Sequence, residues 1–333
     1  MLKFGIYRAD QFGALQSGGM AARIRHFFTR GRVSIQLLDA EMPLPLKVEL
    51  FERVVRGLRQ SNGTYRTSFR GRFRLLDDYV NQILRNEFDA ATPLDVHDWA
   101  ASDCSTSAEW AAGLFAEFPR ARLTASDLTT YVLEAALPDG DTFILEANLS
   151  PMQFIRPPFV LRLNPPEPPY LPVNWLLCRR ALARLERLRA QWAIPADWWS
   201  SGSQPLPFSS AILRKISMVH PNARQLMRDS AQFAVRSRSA FEPLAEPCHV
   251  VRTMNILNRG YFDEAKLQAG VRAVWLSLRP GGIWIVGRTW QDDPPRHRAS
   301  VFRREGGSFQ LLDRYEEGSE IDDLVRTAGI LQA

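Results

Sequence analysis

The residues best suited to chemistry on a small ligand are acids at segment ends and a polar turn. Asp127 closes the extended segment Arg122-Leu123-Thr124-Ala125-Ser126-Asp127. A carboxylate at the C-terminal end of a parallel strand can accept hydrogen bonds from ribose hydroxyls. Its other reading is a cap over Thr129 and Thr130. Asp103 and Glu109 flank a helix start, where a turn or N-cap acid and a first-turn acid are ordinary occupants. Asn255, Asn258 and Tyr261 follow a strand-like segment. They can orient an acceptor oxygen or nitrogen by hydrogen bonds, or fill a polar loop packed on strand ends. Cys104 has no histidine near it in sequence to make it a nucleophile, so packing is its expected role. His26, His97, His220, His249 and His297 show no metal-ligand spacing, and no metal is expected. His97 and His249 sit inside strand patterns as core histidines. His220 precedes a helix and can line a pocket.

Composition sets the frame for that chemistry. The chain has 333 residues, with 42 Lys+Arg against 36 Asp+Glu and a net charge of +6. At roughly 100–200 residues per domain, that is one elaborated domain or two small ones. Hydrophobic residues at 45% and charged residues at 23% exclude wholesale disorder, collagen and coiled coil. No apolar run reaches the ~18 residues of a membrane span. The start, Met1 to Arg8, is basic without the apolar core of a secretory signal. Cys104, Cys178 and Cys248 are too few and scattered for a disulfide framework. A reduced, cytoplasmic protein is expected. Arginine dominates the cations, the only lysines being Lys3, Lys47, Lys215 and Lys266. The densest stretch, Arg66 to Arg74 (RTSFRGRFR), reads as a solvated loop and helix start or a lip over an acidic ligand, and no nucleic-acid partner is expected.

The elements that must position these residues follow from periodicity. Residues 1–45 read as an irregular arm with Gly13, Gly18 and Gly19. Helical spacing runs over 46–58, breaks at Ser61-Asn62-Gly63, and returns over 75–88 with Leu76, Val80, Ile83 and Leu84 on one face. A strand at 94–100, a helix at 107–118 stopped by Pro119, and a strand at 122–127 form a strand–helix–strand unit. A hairpin then spans 131–136 and 142–146 around Pro138-Asp139-Gly140-Asp141. Extended chain continues to Leu163, followed by a stiff linker at 165–172, a helix at 174–192 and a loop at 195–207 containing Gly202. The α/β pattern resumes with a helix at 223–228, strands at 232–236 and 249–256, a helix at 263–278, a strand at 283–288, and a hairpin over 298–304 and 308–315. The expected architecture is α/β, with a seven-stranded, mostly parallel, Rossmann-like sheet. Its boundaries are an N-terminal arm and helical region, 1–92, and an α/β domain, 93–333, with an inserted β and Pro-rich segment at 131–172.

The stretch from Cys248 to Thr289, with Leu278-Arg279-Pro280-Gly281-Gly282 before an apolar strand, resembles class I S-adenosylmethionine-dependent methyltransferases. The glycines suit a left-handed helix end before a central strand. Asp103-Cys104-Ser105-Thr106-Ser107-Ala108-Glu109-Trp110 resembles the G-C-S-T-G-E-E-P cofactor loop of the CheR-type chemotaxis-receptor glutamate methyltransferases, with Cys104, Ser105, Thr106 and Glu109 matching. Ser126 to Ala136 and Asn255 to Phe262 are similar to further segments of that subtype. The resemblance covers roughly residues 94–134 and 230–290. It implies an S-adenosyl-L-methionine site made by Ala101, Ser102, Asp103, Cys104, Ser105, Glu109, Asp127, Leu128, Ser239, Ala240 and Phe241. It also implies that Asn255, Asn258 and Tyr261 face the transferred methyl. Asp103 and Ser107 stand where the family has loop glycines, and Ser239 where it has an acid for the adenine amino group.

The function so implied is methyl transfer to a small-molecule oxygen, nitrogen or carboxylate in specialised metabolism. The alternatives are a CheR-like protein carboxyl methyltransferase and a non-catalytic module of the same fold. Phe154, Arg156, Phe159 and His220 are the expected acceptor contacts, the first three on the Pro-rich insert. A homodimer is an assembly open to such a chain.

Overall fold

In a computed structural model, the described residues are 4–16, 32–55, 58, 61, 71–166, 168–201, 204–290, 292 and 295–327. Met1 to Lys3, Gly18, Gly19, His26, Asn62, Gly63, Gly202 and the Arg66–Arg70 part of the arginine-rich stretch lie outside them. The chain forms two compact units. One contains Met1–Thr67 and Tyr131–Pro221, the other Ser68–Thr130 and Asn222–Ala333.

The second unit carries the parallel sheet. Its strands are β1 (Asp95–Trp99), β2 (Arg122–Asp127), β9 (Phe233–Ser237), β10 (Cys248–Met254), β11 (Leu278–Trp290), β12 (Arg296–Glu305) and β13 (Ser308–Tyr315). Their order is β13-β12-β11-β10-β1-β2-β9. β9, β2, β1, β10 and β11 run parallel, and β12 and β13 add an antiparallel hairpin. Numbered along the chain, the parallel strands lie in the order 3-2-1-4-5. The order reverses between β1 and β10, which is where open α/β sheets bind ligands at strand C-terminal ends.

Period-2 alternation sends Trp99 and Val251 to one face and Asp98 and Arg252 to the other. The first face packs under α8 (Glu264–Ser277) and α9 (Asp322–Thr327), with Trp99, Val251, Leu267, Val274, Trp284 and Leu324 in its core. On the second unit's other helices, α3 (Arg74–Glu87) buries Leu76, Val80 and Leu84, while α4 (Ser105–Glu117) buries Trp110 and Leu114. α7 (Pro221–Asp229) precedes β9.

The first unit is built on an antiparallel sheet of β3 (Tyr131–Ala136), β4 (Thr142–Leu145), β5 (Pro151–Arg156), β6 (Phe159–Arg162), β7 (Leu206–Pro207) and β8 (Ile212–Ser217), in the order β6-β5-β4-β3-β8-β7. α5 (Pro172–Arg189) covers one face through Cys178, Ala181 and Leu185. The N-terminal segments cover residues including Val132, Ile144, Met152 and Ile216, using Ile6, a 3-10 turn at Ile35–Asp39, and α2 (Leu44–Val55).

This division differs from a boundary at 92/93 with an insert at 131–172. The first strand of the insert pairs with β8, Val132 opposite Ile216, so the chain stays in that sheet until residue 217. The helix at 74–87 belongs to the parallel sheet, because its Asp77 bonds Arg252 of β10 and its Glu87 pairs with Arg303 of β12. The arm also contains a helix, α1 (Ala9–Gln16), and the expected loop at 195–207 holds α6 (Ala196–Ser201). The glycine turn acts differently from expectation. α8 ends at an extended Leu278, and Gly281, with φ of 77°, forms a bulge where the β10–β11 register shifts. A Cβ on Gly282 would meet the Arg279 and His249 carbonyl oxygens at 2.8 and 3.1 Å, so only glycine lets the chain turn back this tightly.

Candidate functional site

The loop after β1 runs over residues 100–104 at the switch point. Ala100, Ser102 and Cys104 all have left-handed φ, at 55°, 58° and 61°. The left-handed conformation costs an L-residue roughly 1–2 kcal/mol. Three alternating cases in one turn mark a backbone held by its surroundings, as at ligand clamps. The expected glycine replacements lie elsewhere: neither Asp103 nor Ser107 has a positive φ.

Asp127 is one of the groups holding this loop. One carboxylate oxygen accepts from the Ser102 backbone N–H at 2.8 Å, and the other from Thr129 at 2.9 Å. The carboxylate therefore ties the end of β2 to the loop after β1 and also caps its own turn. Leu128 beside it is 72% exposed, an apolar surface at the ligand edge of the sheet.

Asp103 is buried, and its Oδ1 accepts from the Ser105 N–H and hydroxyl at 3.0 and 2.7 Å. Both glutamate oxygens of Glu109 accept from the Gly71 N–H, at 3.1 and 2.9 Å. Cys104 is fully buried at the start of α4. Ala101 is buried and its N–H donates to the Ser126 carbonyl at 2.9 Å. Ser239 Oγ accepts from the Phe241 N–H at 3.2 Å. Ala240 and Phe241 pack with the α8 face, where Phe241 meets Phe262 at 4.9 Å.

After β10, Asn255 is left-handed with φ of 64°, and its amide oxygen accepts from Thr289 N–H at 2.7 Å. Asn258 is buried, donates to the Asn255 and Ile256 carbonyls, and accepts from the Gly260 N–H. These amides shape the loop. Tyr261, at 57% exposed, presents its ring to solvent on the same loop.

The residues expected to contact the acceptor lie in the first unit and are largely engaged there. Phe154 is buried in the core against Phe143 at 4.9 Å. Arg156 Nε donates to Asp141 at 2.7 Å. Phe159 stacks on Phe4 at 5.8 Å, and the buried His220 meets Phe51 edge-on at 5.2 Å. Phe154, as a strand residue facing the core, has no solvent side, whereas the Arg156 side chain is 45% exposed and pairs with Asp141.

Three ionisable residues that hold the site's geometry, Arg252, Asp98 and Asp77, were not among the expected site residues. Arg252 of β10 donates from Nε to Asp98 at 3.0 Å and from its terminal nitrogens to Asp98 and Asp77. Ser107 donates its hydroxyl to Asp98, and the guanidinium lies over the Trp110 ring at 4.1 Å. Burial pushes the Asp77 carboxyl up to about 7, against the pull of Arg252 and with the push of Asp98. His297 at the start of β12 spans the Thr289 hydroxyl and the Arg72 carbonyl. Burial holds its imidazole below the ordinary value, which leaves one ring nitrogen to donate and one to accept. The only sequence signal was an ionisable residue inside an apolar strand, Asp98 and Arg252 both being such positions.

Whether an adenosine-bearing cofactor suits this edge can be tested on buried polar atoms. Trp99 and Ser126 are strand partners at the ends of β1 and β2, and the Trp99 indole nitrogen and Ser126 hydroxyl both lack a hydrogen-bond partner. Arg238, after β9, stacks its guanidinium 4.2 Å from the Trp99 ring, with one terminal nitrogen also without a partner. Buried donors left over at one strand edge call for a bound group or water. With Asp127 and Leu128 beside them, the residues fit a nucleoside.

No family model and no curated protein matches the chain. Solved structures similar to it include the sugar N-methyltransferase KedS8 from Streptoalloteichus sp. That match has 11% identity over 77% of this chain and 81% of that one, with a TM-score of 0.29. An S-adenosylmethionine-dependent methyltransferase from Clostridium acetobutylicum is similar at 10% identity over 75% and 76%, TM-score 0.31. DesVI from Streptomyces venezuelae is similar at 12% identity over 73% and 69%, TM-score 0.29. Likeness of this degree assigns no activity to the chain.

Proposed function

We propose that this protein is an S-adenosylmethionine-dependent methyltransferase acting on a small-molecule oxygen, nitrogen or carboxylate acceptor. The carrying observation is Asp127. Its carboxylate closes β2 at the switch point and binds the Ser102 N–H of a strained loop after β1. Such an acid suits ribose hydroxyls. Leu128 offers the neighbouring base an apolar surface, and the unpartnered donors of Trp99, Ser126 and Arg238 offer it hydrogen bonds. Ser239 supplies no carboxylate for an adenine amino group.

When bound, the cofactor supplies a methyl group on a sulfonium, with its own leaving group. The chain's task is then to hold acceptor and cofactor in line and dry. Asn255 and Asn258 fix the loop after β10, and that loop presents Tyr261. Membership of class I is the broader reading, supported by the parallel order and the loop residues 103–109. The CheR-type subtype, with a protein glutamate as acceptor, is the narrower one and rests on sequence resemblance alone, in those loop residues and in the segments 126–136 and 255–262. The proposal also takes the protein as cytoplasmic, in specialised metabolism, with a homodimer as one assembly. Among the described residues, no helix is long and apolar enough to cross a membrane.

Calorimetry with S-adenosylhomocysteine tests the reading. Saturable binding is expected; none at high ligand concentration would reject it in favour of a non-catalytic module.

A further inference from the structure

We propose that a cleft on the second unit, beside the proposed methyl-transfer edge, binds the anionic group of the small molecule this protein acts on. The shared chemistry is that of a carboxylate or a phosphate ester. The proposal rests on the methyltransferase reading for what happens to that molecule, and on the cleft alone for its binding.

The cleft has a volume of about 430 Å³ and is lined by Arg72, Arg74, Arg296, His297, Tyr315 and Glu316, among others. That is room for a small metabolite. Among the described residues, three arginines and one carboxylate residue line the cleft. Among the described residues, the side chains of Arg74 and Arg296 form no ion pair or hydrogen bond. A planar guanidinium binds carboxylate or phosphate oxygens with two parallel N–H donors, so two arginines with no partner among the described residues suit an anion.

Topology places the cleft at the ligand edge. β12 runs antiparallel to β11, with Arg296 opposite Trp290 and His297 opposite Thr289, so it begins where the parallel strands end. β13 runs antiparallel to β12, and its last residue, Tyr315, pairs with Ala299 at that same edge. The third wall, Arg72, is joined through His297 and Thr289 to Asn255 in the loop after β10. The anion would therefore sit at the same edge of the sheet as the loop proposed to meet the acceptor.

The wall is also rigid. Asn255 accepts from the Thr289 N–H, the Thr289 hydroxyl meets His297, and His297 meets the Arg72 carbonyl. The His297 ring packs edge-on against Phe73 at 5.0 Å. This chain of contacts fixes the loop after β10 relative to the cleft. Arg74 and Arg296 are a second candidate for holding an acceptor carboxylate, besides Arg156, whose guanidinium pairs with Asp141.

The test uses the full chain and two probes, benzoate and phenyl phosphate, titrated by ligand-observed NMR at low ionic strength. S-adenosylhomocysteine binding is measured on the same samples. Saturable binding of at least one probe is expected, weakened about tenfold in R296Q and in R74Q, as for lost charge-assisted hydrogen bonds. The control R122Q, at the start of β2 and so at the opposite end of the sheet, should change it less than about twofold. The better-bound probe identifies carboxylate or phosphate. If neither probe binds saturably, or if R122Q weakens binding as much as R296Q, the cleft assignment fails, even where S-adenosylhomocysteine binds and the methyltransferase reading stands. If the probes follow the expected pattern and S-adenosylhomocysteine does not bind, the cleft stands and that reading fails. A short single-stranded oligonucleotide binding more tightly than both probes, with the same loss in R296Q, would overturn the small-molecule assignment in favour of nucleic-acid phosphates.

Discussion

Asp98 of β1 and Arg252 of β10 are direct partners on adjacent parallel strands at the switch point, and the guanidinium grips the carboxylate with two nitrogens. Their side chains are 4% and 1% exposed. Asp77 from α3 and Ser107 from α4 complete the network, so both helices are fastened to the strands beneath the strained loop.

Removing the cation should be costly. In R252M two buried carboxylates lose their counter-charge, and the loss of stability should be about 3–5 kcal/mol. Replacing all three ionic residues by apolar ones, D77L/D98L/R252M, should cost less than R252M alone. Urea unfolding of the three proteins decides it. A cost below about 1 kcal/mol for R252M would mean that water reaches the network.

Asp77 should make stability depend on pH. One guanidinium cannot neutralise two buried carboxylates, and the folded-state value of Asp77 is raised to about 7 from 3.8. Folded protein then binds more protons than unfolded protein between those values, so stability falls as pH rises through that window. The contribution is present in full below about pH 4 and lost above about pH 7. D77N should lack this slope. Urea midpoints at pH 5 and pH 8 for both proteins measure it, and equal slopes would show that Asp77 ionises freely.

Asp127→Ala should weaken S-adenosylhomocysteine by about 1–3 kcal/mol, the range for hydrogen bonds to a charged group. Part of that loss comes through the loop, since Ser102 loses its acceptor. An unchanged dissociation constant in a folded variant would take Asp127 out of the site.

The left-handed loop predicts an inversion of the usual glycine effect. Ala111→Gly in buried α4 should cost about 1 kcal/mol or more, from backbone entropy and a lost methyl. Ala100→Gly, at φ of 55°, should leave thermal stability unchanged or raise it. Melting temperatures of the pair check this. A drop for Ala100→Gly as large as for Ala111→Gly would remove strain from the account of the loop.

Phe154→Ala should act on folding and not on turnover. The ring is 2% exposed in the core of the first unit, and losing it should cost about 3–5 kcal/mol. Denaturation and steady-state kinetics on the folded fraction separate the two. Retained stability with lost turnover would restore Phe154 as an acceptor contact.

Much of the second unit was legible because its signals are local. The strands at 95–99, 122–127, 233–237 and 248–254 and the helices between them follow from apolar periodicity, Pro119 and short turns. Asp127 at a strand end was legible for the same reason. The extent of the first unit was not, because β8 pairs with β3 across the whole segment between them. Nor was the left-handed run at Ala100, Ser102 and Cys104, where no glycine advertises it.

By itself, then, the sequence determined the parallel strands and most helices of the second unit, and that an acid closes the second parallel strand. Each of those depends on residues a few positions apart. The tertiary structure alone decided that Asp77, Asp98 and Arg252 share one buried network, although Arg252 stands 175 and 154 positions from its partners. It alone joined Arg72 and Arg74 to Arg296 and Glu316 around one cleft. Both juxtapositions depend on strand order and register, which are set by packing of whole faces and leave no mark in the spacing of residues along the chain.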